Sequence, residues 1–378
     1  MIARIIKMGI TSVFMVAAST ASAAWVIKDL GTFGGELSDA WAINNFGQIV
    51  GIVGCCGGIV GHSYVTGIDG IGSTNIGSYG TWARGINDSG QVVGSNGGRP
   101  FITGPNGNGL TYIGTSSGDA NDINNIGQVV GNSPEVSTGN SRAFITGPNG
   151  TGITDLGTLS GNTSVASGIN NFGQVTGHYN SIDGSYHGFI TDNDGVGIRD
   201  LGDLGGDQSV GVEINNLGQV VGWSTTEIGG LRHAFITGPN GVGMVDLGTM
   251  GGEMSSSLSI NSLGEVVGYA GFRPECLCFP DAFLYSHGIM VNLTRLDEIQ
   301  NAGWTRIVAT DINDHGQISG YGYFNGTYRA FLLTVPEDEE FFNTYVTVPV
   351  PIPEPSIYAM LLTGLGLIGF MGRKQADK

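Results

Sequence analysis

The phrase Ile-Asn-x-x-Gly-Gln-Val-Val-Gly, with small variations, occurs seven times, and a chain that repeats at such an interval folds as copies of one supersecondary unit. The copies begin at Ile43, Ile86, Ile123, Ile169, Ile214, Ile260 and Ile312. From Asn44 to Asn313 the successive Asn spacings are 43, 37, 46, 45, 46 and 52 residues. Each copy reads as a β-hairpin. The Asn side chain bonds nearby backbone to open a tight turn, and the Gly three residues on (Gly47, Gly90, Gly127, Gly173, Gly218, Gly264, Gly316) suits a left-handed position. The alternating residues that follow make a second strand. Turn chemistry therefore explains the repeated Asn without a catalytic role.

Two more strands complete each unit. RPFITGPNG at Arg99, RAFITGPNG at Arg142, HGFITDNDG at His187 and HAFITGPNG at His233 are strand-turn segments, with divergent forms at His62, Asp281 and Arg329. A further strand ends in Asp-Leu-Gly at Asp155, Asp200 and Asp246. Three residues before each repeated Ile stands Ala40, Ala83, Ala120, Ala166, Gly211, Ser257 or Ala309, all small. Smallness at that point places this strand innermost, with these residues expected at the crowded axis of a ring. Four-strand units of this length are propeller blades. The chain is thus expected to be all-β: a seven-bladed β-propeller of four-stranded antiparallel blades over residues 25–335.

The ends of the repeat region support closure. Trp25 to Gly31 is a lone copy of the fourth strand, and Arg329 to Val335 is a lone third strand. Pairing them completes the last blade and removes two open sheet edges. The HAF-type and Ile-Asn-x-x-Gly-Gln segments resemble the HAF repeats of extracellular bacterial proteins, a resemblance that implies secretion but no settled activity.

The flanks read as addresses. Arg4 and Lys7, an apolar run from about Met8 to Ala18 and Ala21-Ser22-Ala23 form a signal peptide over residues 1–23, with Ala21 and Ala23 at the signal peptidase site. Residues 336–352 are an acidic, Pro-rich spacer, since alternating prolines favour extended backbone. Ser356 to Met371 is almost wholly apolar and is followed by Arg373 and Lys374, which predicts a C-terminal transmembrane helix over 356–371 with a cytoplasmic end. Pro353-Glu354-Pro355, this helix and the basic end resemble the PEP-CTERM sorting signal of Gram-negative bacteria, over residues 353–378. The resemblance implies recognition by an exosortase, transient anchoring in the inner membrane, and delivery to the cell surface or matrix. The basic cluster here has two residues, and Gln375 to Lys378 extend beyond it.

Lys+Arg 15 against Asp+Glu 32 gives a net charge of −17, a sign that repels nucleic acid. Catalytic residues, metal and cofactor are assigned as none. The histidines have no ligand spacing, and His62, His187 and His233 share their position with Arg99, Arg142 and Arg329. Asp192-Asn193-Asp194-Gly195 resembles part of a calcium loop but lacks the downstream Glu and aligns with the Gly-Pro-Asn-Gly turns. In an oxidising compartment Cys55 with Cys56, and Cys276 with Cys278, are the candidate disulfides. The connections between second and third strands carry His178-Tyr179, Trp223, Phe272-Arg273 and Tyr321 to Tyr328, where aromatic side chains could meet sugars or proteins.

The functional expectation is a secreted, noncatalytic, surface-sorted repeat protein in adhesion or in exopolysaccharide or envelope organisation. Its expected partners are exosortase and signal peptidase during processing, and exopolysaccharide or surface proteins afterwards. The alternatives are a secreted glycan hydrolase or lyase working in the central depression, and a lectin-like glycan-binding propeller. An enzyme of that kind requires a concave cluster of unlike acidic residues.

Overall fold

The computed structural model describes residues 25–335, apart from 56–58, 115–116, 136–137, 228 and 273–279. Seven four-stranded antiparallel sheets form the blades of a propeller. Six blades run in sequence order from the inner to the outer strand, and blade 1, for example, consists of Leu37–Ile43, Ile49–Cys55, Ile59–Thr66 and Ser73–Ile76. Blades 2 to 6 begin at Thr81, Asp119, Thr163, Gly205 and Met254. Blade 7 takes three strands from Thr305–Ile312, Gln317–Phe324 and Thr327–Thr334, and its outer strand is Val26–Gly31. The register runs from Val26 opposite Thr334 to Gly31 opposite Ala330, so the two ends of the repeat region zip together as expected.

The core lies between blades. The third-strand aromatics Tyr64, Phe101, Phe144, Phe189, Phe235, Phe283 and Phe331 are all fully buried. Each blade has an apolar face that only its neighbour covers. Phe101, Ala83 and Ile86 of blade 2, for instance, pack with Val50, Val65 and Ile76 of blade 1.

The repeated Ile-Asn strand is innermost, but its small residues are not at the axis. Ala40 packs with Ala330 and Leu332 of blade 7, and a Cβ on Gly211 would meet the Thr176 hydroxyl of blade 4. Their smallness answers to the approach of the neighbouring blade. What faces the channel is set by a bulge in every inner strand, where the register skips one residue between Ala40 and Ala42 and at the six equivalent points. A bulge re-aims side chains locally. It turns the skipped residue and its successor toward the axis.

Among the described residues no helix is long and apolar enough to cross a membrane. The expected signal peptide 1–23, including Ala21 and Ala23, the spacer, and the expected helix 356–371 lie outside the described residues. So do Cys56, Cys276 and Cys278, while Cys55 ends the second strand of blade 1.

Candidate functional site in the central channel

One end of the channel is ringed by a belt of hydrogen bonds. Asn44 Nδ2 donates to the Asn87 carbonyl of the next blade, and the same bond steps through Asn124, Asn170, Asn215, Asn261 and Asn313 back to Asn44 at 3.0–3.2 Å. Each Asn Nδ2 also donates to the Gln or Glu four residues on, from Gln48 to Gln317. In most blades its Oδ1 accepts the backbone amides two and four residues on, as Asn170 does from Phe172 and Gln174. The Gln amide then reaches the turn of the following blade, as Gln48 does to Asn106 and Gln174 to Asn240. Those turn residues, Asn106, Asn149, Asp194 and Asn240, sit at φ near +55°, a left-handed conformation that Asn and Asp tolerate best after Gly. The Asp192–Gly195 segment is thus another copy of the Gly-Pro-Asn-Gly turn.

Beyond the belt, toward the other face, the bulges present two rings of seven positions that vary from blade to blade. The deeper ring is Ala42, Gly85, Asp122, Gly168, Glu213, Ser259 and Asp311; the next is Trp41, Arg84, Asn121, Ser167, Val212, Leu258 and Thr310. All of them but Gly168, together with Trp82 and Val165, line a cavity of 470 Å³. Trp41 and Trp82 remain 41% and 39% exposed, large enough fractions to offer ring surface to a ligand. Arg84 lies along the wall, bonded to Asn121 Oδ1 at 3.1 Å and paired with Asp119 at 3.5 Å.

Three carboxylates from blades 3, 5 and 7 form the floor, each next to a small residue that leaves it room. Asp122 accepts the amides of Ile123 and, across the seam, Ile169, at 2.7 and 2.9 Å. Asp311 does the same with Ile312 and Ile43 at 2.8 and 2.7 Å, and Ser259 Oγ adds a third bond. Glu213 accepts only from Ile214, at 2.9 Å. Burial pushes Asp122 up to about 7 and Asp311 up to about 6, against the amide bonds that favour the charged form. Glu213 is raised well above its ordinary value, first by burial and then by the neighbouring charges of Asp122 and Asp311. Asp39 is pushed up to about 6 by burial. The raised values bring proton exchange at the channel floor toward neutral pH, most of all at Asp122 and Glu213.

The residues singled out by sequence do not gather here. Tyr179 donates to Asp200 at 2.6 Å and stacks on His187, and Trp223 lies under the Arg232 guanidinium at 4.1 Å. Four of the alternating His and Arg positions pair with an acid of the adjoining strand, among them His233 with Asp246 at 2.8 Å, Arg142 with Asp155 at 3.3 Å and Arg329 with Asp29 at 2.8 Å, while Arg99 lies over the Tyr112 ring. One ion-pair position accounts for both residue types. No group of three His, Cys, Asp or Glu side chains among the described residues is placed to hold a metal ion. The channel residues were missed by sequence reading, although the two variable residues before each invariant Ile were a visible signal.

The far end of the chain supplies the remaining evidence. Residues 351–375 match the PEP-CTERM protein-sorting motif. The sorting motif contains Pro353, Glu354, Pro355, Arg373 and Lys374, and it marks the chain for export and surface or extracellular delivery by the exosortase route. No curated protein sequence matches the chain. Among solved structures, the propeller domain of the trilobed protease from Pyrococcus furiosus, described as having an open velcro topology, is similar with TM-score 0.51 and 6% identity over 79% of this chain and 93% of that one. Oligogalacturonate lyase in complex with manganese gives 0.46 and 12% over 85% and 95%, and putative TolB from Agrobacterium tumefaciens gives 0.43 and 13% over 70% and 94%. At these identities the likeness is one of fold alone.

Proposed function

We propose that the mature chain is a noncatalytic glycan-binding propeller, sorted by exosortase to the cell surface or matrix, where it serves adhesion or exopolysaccharide organisation. Processing would remove the signal peptide after Ala23 and use residues 356–371 as a temporary membrane anchor. The reading of the repeats as HAF-type accords with this route. The observation that carries the binding role is the channel mouth, where Trp41 and Trp82 stand above Asp122, Glu213 and Asp311 in one 470 Å³ cavity. Aromatic faces stack on the C–H surfaces of sugar rings, and carboxyl groups bond their hydroxyls; a few polar groups in an apolar cleft are the usual composition of a ligand site.

Unlike acids in a concave site also suit the hydrolase or lyase alternative, because environments that hold one carboxyl protonated and another ionised assign acid and base roles. Binding is the better reading on geometry. Both oxygens of Asp122 and of Asp311 are engaged by backbone amides, one from the acid's own strand and one from the adjoining blade, which fixes these groups as part of the wall. Glu213 has the freer carboxyl. A glycan array with the wild type and Trp41→Ala/Trp82→Ala decides between the readings: binding lost in the double variant supports the proposal. Turnover of purified exopolysaccharide that Glu213→Gln abolishes would instead establish the enzyme.

A further inference from the structure

The face that carries the Asn belt also carries an apolar annulus. The residue just before the Gly of each inner turn is exposed and apolar in five of seven blades: Phe46, Ile126, Phe172, Leu217 and Leu263, at 52–73% exposure. Outside them, on the strand-turn segments of the same face, Val242 is 68% exposed. In blades 1 to 5 the inner turn is bonded to the outer turn of its own blade, as Asn240 N is to the Leu217 carbonyl, which fixes their placement. Side chains this apolar, repeated around a ring and held in one plane, form a single patch of the kind that marks an interaction site.

The chain leaves the propeller on this same face. Val335, at the end of the last strand, donates its amide to the Gly316 carbonyl in the inner turn of blade 7. Twenty residues then lead to the apolar segment that starts at Ser356. We propose that the annulus docks on the surface of a lipid bilayer while the precursor is anchored, so that the belt face lies on the membrane and the glycan cavity opens away from it. This rests on the reading of 356–371 as an anchor. A planar ring calls for a planar partner, and the tether delivers the bilayer to this face. Asp88 and Asp314 in the centre of the ring argue against attraction to anionic headgroups, so the partner is a zwitterionic lipid surface and docking is insensitive to salt.

The test uses the full chain reconstituted in phosphatidylcholine vesicles with plain or brominated acyl chains. Leu263→Trp places a reporter on the annulus, Phe46→Trp places a second on another blade, and Ile182→Trp, in a fully exposed turn on the opposite face, is the control. The tether could hold the propeller up to about 60 Å from the bilayer, so anchoring alone does not bring the reporters near the acyl chains. The expected result is loss of the added emission at 263 and 46 in brominated vesicles, none at 182, and recovery when Phe172→Asp/Leu217→Asp is combined with either reporter. Equal emission in both vesicle types overturns docking, as does quenching that survives the Asp substitutions. A blue-shifted but unquenched reporter in a cross-linkable dimer overturns it too, in favour of a second copy. Resistance of the chain to carbonate extraction is scored separately, and extraction of the chain would count against the anchor alone, because soluble chain mixed with the same vesicles still reads docking.

Discussion

Asn170 shows how much one repeated residue does. It is buried, it donates to Gln174 Oε1 and to the Asn215 carbonyl of the next blade, and it accepts two amides of its own turn. Replacement by Ala leaves these groups without partners in a water-poor belt, so Asn170→Ala is expected to cost on the order of 2–4 kcal/mol, read by urea unfolding. The turn half of this role follows from local chemistry and is legible in the phrase Ile-Asn-x-x-Gly. The cross-blade half is not, because its acceptor is a carbonyl some 45 residues away that every sequence supplies. Titration is also decided at this scale. Asp122, Glu213 and Asp311 hold protons more tightly folded than unfolded, so the stability linked to them is fully present below about pH 4 and is lost as pH rises through 6 to 7. The melting temperature of the wild type should therefore fall across that window. Glu213→Gln keeps an acceptor for Ile214 and removes the floor acid whose ionisation is opposed by burial and by the charges of both neighbours, so its melting curve should fall less; an equal fall would show that the floor acids do not control the pH response.

The inner hairpin is the element in which scaffold and site are combined. Its turn needs glycine twice over: Gly173 has φ +72°, and a Cβ there would lie 2.8 Å from the amide nitrogen of Asp194 in the neighbouring turn. Gly173→Ala is expected to destabilise by about 2 kcal/mol or more, from left-handed strain and lost turn packing together, and by more than Gly184→Ala, which at φ +89° in open surroundings carries the strain alone. The strand before the turn carries the bulge, and here sequence reading stopped short. A bulge made with a fixed residue type leaves a signature, but the skipped residues are Trp41, Arg84, Asn121, Ser167, Val212, Leu258 and Thr310, which share no property. The hydrophobic alternation on either side remained readable, so strand order and count were legible while the direction of two side chains per blade was not. The small residues were expected at the axis because smallness was read as crowding there, whereas the approach of the neighbouring blade imposes the same limit.

Closure belongs to the whole molecule, because no blade covers its own apolar face. Blade 7 buries Trp25, Ile307 and Phe331 in the largest of the described core clusters, and that cluster reaches across the seam to Val267, Leu284 and Leu293 of blade 6. Its outer strand comes from the other end of the repeat region and is held by five register pairs and by the Arg329–Asp29 ion pair. On the other seam, Ser38 bonds the Gly31 carbonyl and receives the Ala330 amide, so blade 1 is tied to both chain ends at once. Removing Trp25 to Gly31 would expose the edge of the strand Thr327–Thr334 and uncover part of that cluster, and an exposed strand edge templates association. The deletion variant is expected to melt well below the wild type and to self-associate, as read by calorimetry and light scattering. The effect should exceed that of Arg329→Ala, which removes the ion pair alone and leaves the ladder intact. Equal melting temperatures for deletion and wild type would mean that the ring is held by its seven inner strands and the Asn belt, with the outer strand an accessory. That outcome would also shift the source of cooperativity from the rim of the molecule to its axis, where Asn170→Ala would then be the more damaging change.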